Sequence, residues 1–142
     1  MRKTGLSTVA VVLMVLLAIV AVGYGKADAQ EARMVRIYSF GQPGGTLSLE
    51  PDTAWIPKGT VVIWTNFART GQVRIKFAEG KKCSDVTAAP SGFKLDALDC
   101  FVTTYLPFAG TSSLEFNQEG TYEYVVEAQG KEKKVTGKII VQ

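Results

Sequence analysis

Histidine is absent from the 142 residues, and sulfur is scarce, with two cysteines and three methionines. Without imidazole there is no histidine base for a serine or cysteine nucleophile, and no mixed cysteine–histidine zinc site. Paired C-x-x-C motifs, a P-loop, a dinucleotide fingerprint and a nucleophile elbow are missing as well. Carboxylates are scattered, and Asp96 and Asp99 fall in a polar loop where solvated acids are ordinary. The chain is therefore expected not to be an enzyme. Excess charge of one sign is also lacking. The net charge is +3, and the first 29 residues hold three basic side chains against one acidic, leaving +1 on the remainder. Nucleic-acid binding needs positive charge clustered on one face. The only dense charge run, Lys131-Glu132-Lys133-Lys134, reads as a solvated turn, so no nucleic-acid partner is expected.

The one long apolar run is N-terminal. Arg2 and Lys3 precede Val9 to Val22, and Ala27-Asp28-Ala29 places small residues at the two positions a signal peptidase reads. This pattern predicts a secretory signal over residues 1–29, cleaved before Gln30, and a single domain over residues 30–142 that is periplasmic or secreted. The alternative is an uncleaved anchor, the one way this protein would engage a membrane. At 14 residues the run is shorter than a spanning helix prefers. No cysteine stands at the cleavage point to accept a lipid. The remaining 113 residues suffice for one core.

Helical periodicity is hard to find after residue 30. Val35 and Ile37 alternate with Arg36 and Tyr38, and Thr60 to Trp64 is β-branched and aromatic after the Pro57-Lys58-Gly59 turn. Val73, Ile75 and Phe77 alternate with Arg74 and Lys76, Leu114 and Phe116 flank Glu115, and Tyr122, Tyr124 and Val126 share one phase. Ile139 and Val141 close the chain. Short alternating runs punctuated by Gly and Pro, without crossover helices, predict an all-β antiparallel sandwich or barrel. Cys83 to Phe101 breaks the alternation and reads as a long excursion, with one helical turn conceivable at Asp96-Ala97-Leu98.

Cys83 and Cys100 would close an 18-residue loop at the base of that excursion. Exported domains oxidise such pairs, and a bridge over a loop of this size stabilises by about 3 kcal/mol in the chain-entropy model. A redox pair is normally closer in sequence, and a thiolate metal site needs further ligands. A structural disulfide is the expectation.

Three stretches in order resemble the cupredoxin (plastocyanin-like) family. They are LEPDTAWIPKGTVVIWTN from Leu49 to Asn66, GTSSLEFNQEGTYEY from Gly110 to Tyr124, and VTGKIIV from Val135 to Val141. The resemblance covers about a third of residues 30–142 and implies a Greek-key sandwich of cupredoxin type. It also implies a type 1 copper held by two imidazoles, a thiolate and a long axial methionine. The positions that match those ligands are Gln72 and Gln129 for the imidazoles, Val126 for the thiolate and Val135 for the methionine, with Lys134 an alternative to the last. None of these residues is the histidine, cysteine or methionine that such a site uses. Met34, the sole methionine beyond the signal, lies near the new N-terminus. No cofactor is expected, copper being the alternative. Val126 reads as core by its phase with Tyr122 and Tyr124, and two carboxamides at Gln72 and Gln129 offer at most a small-ligand or peptide contact.

The segment FVTTYLPFAG allows two readings. Phe101, Tyr105 and Phe108 form either an exposed partner surface or a strand feeding the core ahead of a Pro-Phe turn. Taken together, the sequence describes an exported, copper-free, cupredoxin-like binding or structural module of the cell envelope, whose partner is another envelope protein. The alternative is a copper-binding electron-transfer protein with atypical ligands.

Overall fold

A computed structural model of the chain describes residues 30–41, 45–77 and 87–142. The predicted signal over residues 1–29 and Cys83, with it the Cys83–Cys100 pairing, lie outside the described residues. Eleven strands are described: β1 (Ala32–Phe40), β2 (Thr46–Glu50), β3 (Thr53–Ile56), β4 (Thr60–Asn66), β5 (Val73–Phe77), β6 (Thr87–Ser91), β7 (Phe93–Leu95), β8 (Phe101–Thr103), β9 (Thr111–Phe116), β10 (Gly120–Ala128) and β11 (Lys134–Val141). They form a five-stranded sheet in the order β2-β1-β4-β9-β6 and a six-stranded sheet in the order β3-β11-β10-β5-β8-β7. Among the described residues no helix is long and apolar enough to cross a membrane.

The alternations expected from sequence fall on β1, β4, β5, β9, β10 and β11, and their apolar phases face inward. Val35, Ile37, Val62, Trp64, Val73, Ile75, Leu114, Phe116, Tyr124, Val126 and Ile139 are all buried to the last percent. Period-2 burial is what two sheets packed face to face require. Trp64 sits at the middle of this core, edge-on to Tyr124 at 5.4 Å and to Phe93 at 5.5 Å between ring centroids. Such T-shaped pairs place positive ring edges on negative faces and add to the area they bury. Gly137 makes room for this cluster, because a Cβ there would lie 2.3 Å from the Tyr124 Cζ and 2.8 Å from the Leu49 Cδ1. That contact gives the glycine of the terminal G-x-I-x-V strand a physical reason.

The sandwich departs from the sequence reading in three respects. It is not wholly antiparallel: β1 runs parallel to β4, and β3 parallel to β11. Both follow from one path, in which the chain leaves the β1–β2 hairpin, crosses to the second sheet as β3 and returns as β4 on the other side of β1. Second, the excursion before Phe101 contains two strands, β6 on the edge of the first sheet and β7 on the edge of the second. Pro90 and Gly92 hid them, since proline is tolerated at an edge and glycine weakens a strand pattern. Gly92, at φ +73°, turns the chain from one sheet to the other where a Cβ would come 2.9 Å from the Ser112 Oγ. Third, Asp96-Ala97-Leu98 is a turn and not helical; the Asp96 carboxylate accepts from the Leu98 and Cys100 amides at 2.8 and 3.0 Å. An aspartate bonding the backbone two residues on competes with helix formation.

Candidate functional site

One end of the sandwich gathers the residues singled out by the cupredoxin resemblance. Val126 on β10 stands opposite Ile75 of β5 and Val135 of β11. Strand β10 ends beside the start of β5, where Ala128 pairs with Val73, and the Gln129 amide donates to the Gln72 carbonyl at 2.9 Å. Gln72, Val126, Gln129 and Val135 are thus neighbours in space. Their chemistry differs by depth: Val126 is 0% exposed, Val135 is half-buried against the core, and both glutamines are exposed.

The centre of this end is Asn66, the last residue of β4 and itself completely buried. Its Nδ2 donates to the Leu106 carbonyl at 2.9 Å and to the Gly71 carbonyl at 3.2 Å, while its Oδ1 accepts from the Ala68 amide at 2.9 Å. Its backbone is engaged as well, donating to the Gly110 carbonyl at 3.0 Å and accepting from the Ala109 amide at 2.7 Å. One carboxamide therefore ties the β4–β5 loop to the segment between β8 and β9. Only an amide can both donate twice and accept here. In the structure the alternation of β4 gives way at this end to three consecutive buried residues, Trp64-Thr65-Asn66, and no pattern in the sequence announces it.

The aromatic segment divides along its length. Phe101 is buried in the core, so it forms no part of a surface with the other two. Tyr105 is half-buried beneath the Arg74 guanidinium, 5.1 Å from its ring centroid. Phe108 is 61% exposed at the tip of a turn that places Ala109 at φ 61°. That conformation is unfavourable for alanine, and the two bonds to Asn66 and the Gly110 amide donating to the Pro107 carbonyl at 2.9 Å hold it.

On the outer face of the second sheet, Arg74 donates from Nε to the Glu127 Oε1 at 2.8 Å and pairs with the same oxygen through Nη2. Burial pushes the Glu127 carboxyl up, but the hydrogen bond and charge of Arg74, helped by Lys134 and Lys76, outweigh it and hold the group below the usual carboxylate range. The hydrogen bond to Glu127 raises Arg74 in turn. Beside this pair lies an open depression of about 690 Å³, bordered by Lys76, Lys94, Leu95, Leu98 and Tyr105. Burial pushes the core hydroxyl of Tyr124 up to about 12, so it stays neutral.

Could this end hold a transition metal? The position with the most enclosed environment, Val126, presents only aliphatic carbon. Gln72 and Gln129 present amide oxygens, poor donors for a borderline or soft ion. Cys100 belongs to the β7–β8 connection and Met34 to β1, neither on the segments that carry the four positions. Among the described residues no three His, Cys, Asp or Glu side chains converge as a metal site. The residues present do not fit a type 1 copper.

No family model matches the sequence, and no curated protein matches it significantly. Solved structures do. An oxidised amicyanin variant superposes with a TM-score of 0.50 at 18% identity, over 82% of this chain and 88% of that one. A reduced amicyanin variant gives 0.50 at 17%, over 82% and 87%. A purple cupredoxin from Nitrosopumilus maritimus gives 0.49 at 20%, over 77% and 98%. Identities this low speak for architecture alone. The two mixed sheets, their order and the two amicyanin superpositions together give this chain a cupredoxin-like fold.

Proposed function

We propose that this protein is an exported, copper-free, cupredoxin-like module that works by binding another protein of the cell envelope and catalyses no reaction. The observation that carries the reading is Val126. At the position that the resemblance assigns to the thiolate, a valine is fully buried in an aliphatic seam between Ile75 and Val135. Packed carbon at that point supports a core role, because a cavity left there would cost a few kcal/mol. The Arg2-Lys3 pair, the apolar run Val9 to Val22 and the small residues Ala27 and Ala29 support export. The fold alone does not carry electron transfer with it.

Metal content decides between this reading and a copper protein. The exported protein is purified in the presence of Cu(II), desalted, and measured for copper by elemental analysis and for a thiolate-to-copper absorption band. The expected result is copper far below one equivalent and no such band. One equivalent of tightly held copper would refute the proposal and favour electron transfer.

A further inference from the structure

A groove of about 510 Å³ opens on the outer side of the first sheet, next to the Asn66 end, lined by Arg36, Tyr38, Ser39, Phe67, Arg69 and Phe108. Its floor is aromatic. Tyr38 and Phe67 stack with centroids 6.0 Å apart, and Phe108 meets Phe67 edge-on at 6.2 Å. Its rim is two arginines, both exposed. Neither makes an ion pair within 4.0 Å among the described residues, although Glu50 stands opposite Arg36 in the β1–β2 register.

Hydrogen bonds of main-chain amides order the walls of the groove. The Phe67 amide donates to the Ile37 carbonyl at 2.8 Å, and the Arg69 amide to the Ser39 Oγ at 2.9 Å. Phe108 is fixed through the Asn66–Ala109–Gly110 bonds. A site whose walls are already ordered loses little entropy on binding. Guanidinium groups beside rings suit carboxylates, which they grip bidentately, flanking an apolar side chain that lies on the rings.

We infer that the Arg36–Arg69 groove is the docking surface for an acidic peptide segment of a partner protein, with carboxylates on the two guanidinium groups and an aromatic or aliphatic side chain against Phe67 and Phe108. Charge complementarity selects this occupant. Two arginines are too few for an anionic membrane surface, which is bound by clusters of about 4–8 basic residues. The inference rests on the proposed binding role and names the chemistry of its partner.

The test titrates the exported, ¹⁵N-labelled protein with a synthetic peptide, acetyl-Asp-Glu-Phe-Asp-Phe-Glu-Asp-amide. A lysine-for-acid version and vesicles of phosphatidylglycerol serve as competitors for the interpretation. Saturable shifts centred on the amides of Tyr38, Phe67, Arg69 and Phe108 are expected, with affinity that falls with added salt. The Arg36→Gln/Arg69→Gln variant, checked for an unchanged melting temperature, should bind about tenfold or more weakly, each charge-assisted bond being among the stronger ones. Equal affinity in that variant, equal binding of the lysine peptide, preference for the vesicles, or no binding at millimolar peptide would each overturn the inference. Shifts centred instead on Gln72 and Gln129 would also overturn it while leaving a binding role intact, whereas a stoichiometric copper content would remove the role itself.

Discussion

Replacing Asn66 with aspartate changes almost no volume and removes the two donors on which this end of the sandwich depends. In the parent, Nδ2 satisfies the Leu106 and Gly71 carbonyls while Oδ1 satisfies the Ala68 amide. An aspartate keeps the last bond and turns the other two into a carboxylate facing carbonyl oxygens. A buried polar group left unsatisfied costs about 1–3 kcal/mol, and more when charged. The Gly71 contact is only partly buried, so water relieves part of its share. The expected loss for Asn66→Asp at neutral pH is about 4 kcal/mol, a large share of the stability of a small domain. Protonation returns one donor, so burial and the facing carbonyls raise this carboxyl in the folded state. A raised carboxyl binds protons more readily folded than unfolded, and stability falls as pH rises between its unfolded and folded values. The deficit should therefore shrink as pH is lowered from 7 towards about 4. Urea titrations followed by tryptophan fluorescence at several pH values measure it. A loss below about 1 kcal/mol, or a deficit that does not vary with pH, would refute this account of Asn66.

Two other perturbations probe the packing and the surface pair. Gly137→Ala forces a methyl into the Tyr124 ring and the Leu49 methyl, and should cost about 1–3 kcal/mol in urea or thermal unfolding; Gly137→Ala combined with Tyr124→Phe recovers only the hydroxyl's part, since the Cζ contact remains. Glu127→Gln should cost about 1 kcal/mol at neutral pH after solvent screening of the partly exposed Arg74. Because the folded carboxyl lies below its unfolded value, its contribution is present above the unfolded value and lost as pH falls through the folded one. The variant and parent should converge in stability in acid, and a gap that persists there would contradict the assignment.

Much of this architecture is local and could be read from the chain. Strands β1, β4, β5, β9, β10 and β11 each carry an apolar phase of period 2, and burial follows that phase along most of each strand, the end of β4 excepted. That Val126, Gln129 and Val135 lie close together was legible too, because all three belong to the β10–β11 hairpin, whose pairing is local. What escaped was non-local or disguised. Strands β6 and β7 are short edges interrupted by Pro90 and Gly92, and an edge strand need not show a continuous alternation. The parallel β1–β4 and β3–β11 pairings join segments separated by whole strands, a distance across which no local pattern reports. The Arg36–Arg69 groove needs β1, the β4–β5 loop and the turn at Phe108 to converge, and nothing in any one of those segments announces the other two.

A ligand-poor end of the sandwich can still keep its shape. In this chain the β4–β5 loop, the Leu106–Gly110 segment and the end of β10 are joined by bonds among amides: Asn66 to Gly71, Ala68, Leu106, Ala109 and Gly110, Val73 to Leu106, and Gln129 to Gln72. Below them the aliphatic seam of Ile75, Val126 and Val135 fills the interior side. These bonds connect the segments that carry Gln72 and Gln129 directly, and the seam leaves the Val126 position occupied by carbon. A structural role for a metal would therefore duplicate connections already made by Asn66. The same Asn66 bonds also hold Phe108 out beside Arg36 and Arg69, which make no ion pair among the described residues.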